Sequence, residues 1–191
     1  MELGATKRAI LETGRLFLKE FGPEVQRVMF TTWSDDEIMA EMGLITVEEL
    51  DAEKEKFRLG MTTYRMSFKS FLLVEKETGK TIGRCGFHDW YAMHSRSELG
   101  YRMSDETAKG KGFMTEALRA VVRYGFEEMK LNRMQAFVSP ENIPSLKLIK
   151  RAGFTEEARL RSHYFYNGKM EDSICFALLK GEYKGLSLIH I

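Results

Sequence analysis

Between Ser97 and Met129 the hydrophobic period changes once, and that change constrains the fold more than any other feature. Leu99, Tyr101 and Met103 alternate with Glu98, Gly100 and Arg102, the period of two of a half-buried strand. From Met114 onward, Ala117, Leu118, Val121, Val122 and Met129 fall on one helical stripe. Between them lies Thr107-Ala108-Lys109-Gly110-Lys111-Gly112-Phe113-Met114-Thr115, with two glycines directly before the helix. A strand and an amphipathic helix joined this tightly must share a core, which requires a layered fold containing both.

The flanking signals extend this picture. Leu16, Leu18 and Phe21 predict a short first strand, and a helical region follows from about Pro23 to Leu59. Within it, Ser34-Asp35-Asp36-Glu37 reads as a helix start, and Thr46-Val47-Glu48-Glu49 as a second. Ser67–Glu75 and Thr81–Asp89 are strand-like, with Thr78-Gly79-Lys80 as their turn. Met134–Val138 predicts a short strand ended by Pro140, and Pro144 suits the first turn of a helix that Gly153 closes. Arg159–Tyr166 and Met170–Leu179 form a last strand pair around the hairpin signal Asn167-Gly168. The expected architecture is a mixed α/β (α+β) single domain around one sheet.

The 191-residue length suits one domain with a small appendage: an N-terminal extension over 1–12, a domain over 13–183 and a tail or foreign remnant over 184–191. His190 in that tail is given no role. A formal net charge of +1 gives no global field favouring nucleic acid or anionic lipid. No apolar run approaches the roughly 18–20 residues of a membrane span. Glu2, Lys7, Arg8 and Glu12 interrupt any signal-peptide core. Cys85 and Cys175 fit no metal spacing and read as buried free thiols, which suits a cytoplasmic setting.

The glycine loop has a chemical reading beside the plain one of a turn. Gly110 and Gly112 permit close approach of backbone to an anion, and the helix start behind them offers unpaired N–H groups. Lys109 and Lys111 add charge, so a pyrophosphate fits such a nest. Other nucleotide motifs fail. Thr115 stands where a dinucleotide fold needs its third glycine, and Val74 where a P-loop ending in Gly79-Lys80-Thr81 needs its first. One strand–helix unit later, Asn142 and Ser145 stand at a helix start, where they can cap the helix or hold a ligand. His88, His94 and His163 show no ligand spacing.

Together these segments resemble the GNAT superfamily of acetyltransferases, whose coenzyme motif is Gln/Arg-x-x-Gly-x-Gly/Ala. Gly110 and Gly112 match its glycines, and Thr107 replaces the Gln or Arg. The stretch Gly110–Ala117, the pattern Asn142-x-x-Ser145 followed by Gly153-Phe154, Asn167-Gly168 with Asp172, and the opening Thr13–Leu18 are similar to the RimJ/RimL-like ribosomal-protein N-terminal acetyltransferases. The resemblance spans about Thr13 to Tyr183 and is specific in combination.

The resemblance implies a mostly antiparallel sheet with one splayed strand pair, and direct acetyl transfer from acetyl-CoA to an amine in a ternary complex without a metal. The acceptor it implies is a peptide N-terminus or a small amine. It places the coenzyme on Tyr101, Arg102 and Met103 along a strand, on Lys109, Gly110, Lys111, Gly112, Phe113, Met114 and Thr115 in the loop, and on Asn142 and Ser145. Glu98 is the candidate base, with surface pairing to Arg96 or Arg84 as the competing reading. Ile149 stands where many relatives carry an acidic tyrosine, so Ser145 and Tyr164 are the candidates for assisting the leaving thiolate. The alternatives are a polyamine, amino-sugar or drug acetyltransferase, for which Asp35, Asp36, Glu37, Glu41, Glu48, Glu49 and Asp51 would make an acidic groove, and a non-catalytic acyl-CoA sensor. A homodimer is plausible.

Overall fold

The structure is a computed structural model and describes residues 10–58 and 67–185. Leu59, the N-terminal charges before Ile10 and the tail beyond Gly185, His190 included, lie outside the described residues. The strands are β1 (Ile10–Glu12), β2 (Leu16–Phe21), β3 (Ser67–Glu75), β4 (Thr81–Tyr91), β5 (Arg96–Met103), β6 (Arg133–Val138), β7 (Thr155–Tyr166) and β8 (Lys169–Leu179). The helices are α1 (Pro23–Thr32), α2 (Asp35–Met42), α3 (Val47–Arg58), α4 (Phe113–Glu127) and α5 (Ile143–Arg151). All strands join one eight-stranded sheet in the order β1-β2-β3-β4-β5-β6-β8-β7. Every neighbouring pair is antiparallel except β5 with β6.

Strand alternation explains why both faces are covered. On β3, Phe71 and Leu73 enter one core with Leu16, Leu18, Val121 and Val122. Leu72, between them, points the other way into a second core with Val25, Met29, Ile38 and Leu50. The first core lies under α4 and α5, and the second under α1, α2 and α3. The sheet therefore separates two helical layers.

The predicted helical region resolves into three helices. Ser34 caps α2 as the sequence predicts, and Glu37 reaches back to complete a capping box. Asn167 and Gly168 both have positive φ, 48° and 78°, the backbone of a tight hairpin turn. Two boundaries differ from expectation by more than two residues. β7 begins at Thr155 rather than Arg159; its first residues are exposed and lack alternation, and pairing with β8 recruits them. Ile10–Glu12, placed by sequence in an N-terminal extension, pair with Phe17–Lys19 as an edge strand.

The parallel contact between β5 and β6 stops after three pairs, the last being Glu98 with Gln135. Beyond Glu98, β5 runs on to Met103 against β4 alone. That parting opens the sheet between the two helical layers. Among the described residues, no helix is long and apolar enough to cross a membrane.

Candidate active site

On the α4 side the glycine loop is built to receive an anion. Gly110 and Gly112 take φ of 74° and 83°, which L side chains rarely adopt. Gly112 is the N-cap of α4 and supplies no side-chain cap, so the first N–H groups of the helix lack intrahelical partners. The loop is pinned from outside. The Arg15 backbone N–H and Nε donate to Glu116 at 2.7 and 2.9 Å, and Arg15 Nη1 donates to the Lys111 carbonyl at 3.1 Å. The Arg15 guanidinium also lies 4.5 Å over the Phe113 ring. Burial raises the Glu116 pKa, but hydrogen bonds from Thr13 and Arg15 outweigh it and hold the carboxylate ionised.

This loop borders a cleft of about 930 Å³ shared with Tyr101, Met103, Asn142 and Ser145. Lys109 lines it, although its ammonium also meets Glu106 at 2.5 Å. Lys147 and Arg151 of α5 add two cations that sequence reading did not single out. The Lys111 side chain is outside the lining residues, and the Phe113 ring is buried in the core, so that residue offers the cleft its backbone.

Asn142 and Ser145 come together at the start of α5. Asn142 Oδ1 accepts the Ser145 N–H at 3.1 Å, so the capping role is real, and the side-chain amide remains as a donor. The Ser145 hydroxyl lies 2.5 Å from the Tyr101 hydroxyl. Tyr101 comes from β5, so this bond spans the gap where the sheet opens. Burial lifts the Tyr101 pKa further than the Ser145 contact lowers it, which keeps the phenol neutral. Ile149 is fully buried in the core, so its position holds no acid.

The opposite face carries the carboxylate. Glu98 is 8% exposed and stands at the last residue of the β5–β6 ladder. Its pKa is pushed up to about 7, first by burial and then by the nearby Asp89 charge, against a hydrogen bond with Tyr164. His88 Nε2 lies 3.4 Å from Glu98 Oε1, and burial keeps the imidazole below its ordinary pKa. The competing surface pairing of Glu98 with Arg96 or Arg84 is not found. Arg96 stacks over Tyr91 and Arg84 meets Glu53 at 3.4 Å.

Two irregularities aim the groups around Glu98. A register shift between His88 and Tyr91 leaves Asp89 at φ 45°, and a second between Leu160 and Tyr164 leaves Ser162 at φ 49°. Bulges redirect side chains in this way near active sites. Tyr164 is thereby brought to Glu98, and its pKa is pushed up to about 12 by burial and by the Glu98 charge. Sequence spacing gave His88 no ligand pattern, yet strand pairing places donor atoms of His88, Asp89 and Glu98 within 4.8 Å of one another. These donor types suit a divalent cation as well as a proton.

A groove of about 440 Å³ runs along this face between β4–β5 and the α1–α3 layer, and it meets the first cleft at Tyr101 and Arg102. None of the seven acids that the polyamine alternative would place along it is among its lining residues. Asp35 pairs with Lys54, Glu37 caps α2, Glu41 meets Lys19, and Glu49 accepts the Ile45 N–H. The groove is lined instead by Glu53, Lys56, Arg84, Asp89 and Arg102.

A family model described as an acetyltransferase (GNAT) domain matches residues 15–155. The uncharacterized N-acetyltransferase p20 of Bacillus licheniformis is 34% identical over 176 residues, covering 92% of this chain and 98% of that protein. A variant of the spermidine N-acetyltransferase SpeG of Vibrio cholerae shares the fold with a TM-score of 0.67 at 19% identity, over 92% of this chain and 99% of that one. A Vibrio cholerae structure assigned provisionally as a ribosomal-protein-serine acetyltransferase has a TM-score of 0.62 at 22% identity, over 90% of this chain and 97% of the other. The loop, the parted strands and these likenesses agree: the chain is an acetyltransferase enzyme and belongs to the GNAT family.

Proposed function

We propose that the chain transfers an acetyl group from acetyl-CoA directly to the α-amino group of a peptide, in the manner of the RimJ/RimL-like branch. The observation that carries this reading is Glu98, a carboxyl group with its pKa near 7 at the point where the sheet parts. An α-ammonium with a pKa of about 7.7–8.0 gives up its proton readily to such a base, whereas an alkyl ammonium at about 10.4 does not. A polyamine would also meet three cations, Lys56, Arg84 and Arg102, against two carboxylates, Glu53 and Asp89, in the groove. The charge of that wall disfavours a polycation.

In this mechanism the two faces divide the work. The pyrophosphate of acetyl-CoA sits on the backbone of Gly110–Thr115, with Lys109 as a counter-charge and the pantetheine arm along Tyr101–Met103. Asn142 offers its amide to that arm. Glu98 takes the proton from the attacking amine, and His88 and Tyr164 hold its carboxyl in place. Backbone N–H groups of β5 beyond Glu98 stabilise the oxygen as the amine adds to the thioester carbonyl. Ser145, backed by Tyr101, donates a hydrogen bond to the departing sulfur. The thioester is already activated, so positioning and charge stabilisation suffice.

The test is a thiol-release assay with acetyl-CoA against peptides, polyamines and amino sugars. Turnover confined to polyamines would refute the peptide reading, and coenzyme binding without any turnover would leave a sensor. The homodimer is proposed with support from the β7–β8 hairpin, where Phe165 and Tyr166 are 72% and 61% exposed. Sedimentation velocity decides it.

A further inference from the structure

On the groove face of the sheet, β4 and β5 set Arg84 opposite Arg102, Gly86 opposite Gly100, and His88 opposite Glu98. Side chains alternate along a strand, so all six positions share one face. The result is a graded trough. The proton acceptor stands at one end, two residues without side chains lie in the middle, and two guanidinium groups stand at the other. Four residues of strand separate the ends by roughly 13 Å. Gly100 makes room for the His88 imidazole beside Glu98, since a Cβ there would stand 3.1 Å from its Nε2.

Two like charges directly opposite each other on a sheet are unfavourable, so the arginine pair needs balancing. The balance is incomplete. Glu53 reaches Arg84 at 3.4 Å but already binds Lys56 at 2.7 Å. Glu49 reaches Arg102 at 3.6 Å while one of its oxygens accepts the Ile45 N–H at 2.8 Å. Both arginine contacts are long beside the roughly 2.7–2.9 Å of a charge-assisted bond. Around the arginine pair two carboxylates face three cations, with Asp89 standing nearer the His88 end of the groove, and Arg84 and Arg102 keep donors for a further carboxylate. The Arg102 side chain is 62% exposed and Arg84 36%, so a ligand can reach both.

We propose that Arg84 and Arg102 form a second acceptor subsite that binds a carboxylate side chain on the second or third residue of the peptide, so the preferred substrates are acidic N-termini. An extended peptide advances about 3.3–3.6 Å per residue. With its amine at Glu98, its second or third side chain comes within reach of the long arginines. This inference rests on the peptide reading above and assigns its selectivity.

The experiment compares kcat/KM for three hexapeptides that differ only at residues two and three, which are both Asp, both Ala or both Lys, with spermidine as a fourth acceptor. The expected order is acidic over neutral over basic, with the acidic peptide about tenfold or more above the neutral one, as for hydrogen bonds to a charged group. In the double variant Arg84→Gln/Arg102→Gln the acidic-to-basic ratio should collapse toward one. Lys56, on the same helix, still pairs with Glu53 in that variant, so the buried carboxylate is not left without a cation. Should the variant not fold, raising salt from 50 to 500 mM must erase most of the parent's preference. Equal turnover of the three peptides, preference for the basic one, or a ratio unchanged in the variant would overturn the subsite. Turnover of spermidine with no peptide turnover would overturn the peptide reading itself, and the subsite with it.

Discussion

The Tyr101 hydroxyl lies 2.5 Å from the Ser145 hydroxyl, across the gap where β5 and β6 part. The bond joins a strand to a helix start 44 residues away and leaves both hydroxyls in the coenzyme cleft. With a neutral phenol behind it, Ser145 is held to donate toward the sulfur. Ser145→Ala should therefore lower the single-turnover rate at saturating acetyl-CoA by about tenfold to a hundredfold, the value of one hydrogen bond to a charged group. Tyr101→Phe should lower it in the same step. The double variant should be little worse than Ser145→Ala, because the two act as one unit. Additive losses would separate them, and a parent-like rate in Ser145→Ala would reduce Ser145 to a helix-start residue.

Glu98 predicts the pH profile. A general base must be ionised, so kcat/KM should rise with pH through about 7, and Glu98→Gln should lose that limb together with most of the activity. Stability should move the other way. The folded-state pKa is above the ordinary 4.5, so the native state binds more protons between those values and stability falls as pH rises from 4.5 to 7. Urea melts of the parent and Glu98→Gln across that range check the sign, since the variant should lack the decline.

Local signals were legible in the sequence, and relationships between strands were not. The change of period at the glycine loop, the N-cap at Ser34 and the Asn167-Gly168 turn each depend on a few adjacent residues, and each appears in the structure. The His88–Glu98 pair needs the β4–β5 register and a bulge at Asp89, neither of which has a local marker. The Arg15–Glu116 clasp spans 101 residues and ties the first turn to the coenzyme loop, so spacing could not reveal it. The run of acids from Asp35 to Asp51 left a groove open beside a solvated helix face, because composition cannot distinguish an acid facing a ligand from one capping a helix.

Gly112 tests the anion nest. Its φ of 83° penalises any L side chain by about 1–2 kcal/mol, and its Cβ direction meets Arg15 at 3.4 Å. Gly112→Ala isolates that strain, while Gly112→Asp adds a negative charge at the helix start. Calorimetric titration should show coenzyme affinity falling at least tenfold further in the Asp variant than in the Ala variant. Affinities within a factor of two of the parent would remove the loop from the site.

The donor set of His88, Asp89 and Glu98 invites a metal test. The proposed transfer uses Glu98 as a base, so extensive dialysis against EDTA should leave turnover unchanged. Added zinc should inhibit competitively with the amine, because a metal ion on Glu98 occupies the lone pair that takes the proton. Loss of activity on chelation, restored by one particular cation, would instead make the cluster a metal centre.

Asn142 separates two roles that coincide in one side chain. Its Oδ1 caps α5 through the Ser145 N–H, and the residue also lines the coenzyme cleft. Asn142→Ala should cost about 1 kcal/mol of stability through the lost cap and weaken acetyl-CoA binding as well. Asn142→Asp keeps the acceptor and removes the donor. It should hold the parent Tm, since an aspartate caps as well as an asparagine and its charge suits a helix start. Its coenzyme affinity should fall as far as that of the Ala variant. Thermal melts and calorimetric titration of the two variants give the answer: an Asp variant with parent affinity would show that the amide donor does nothing for the coenzyme and that capping is the whole role of Asn142.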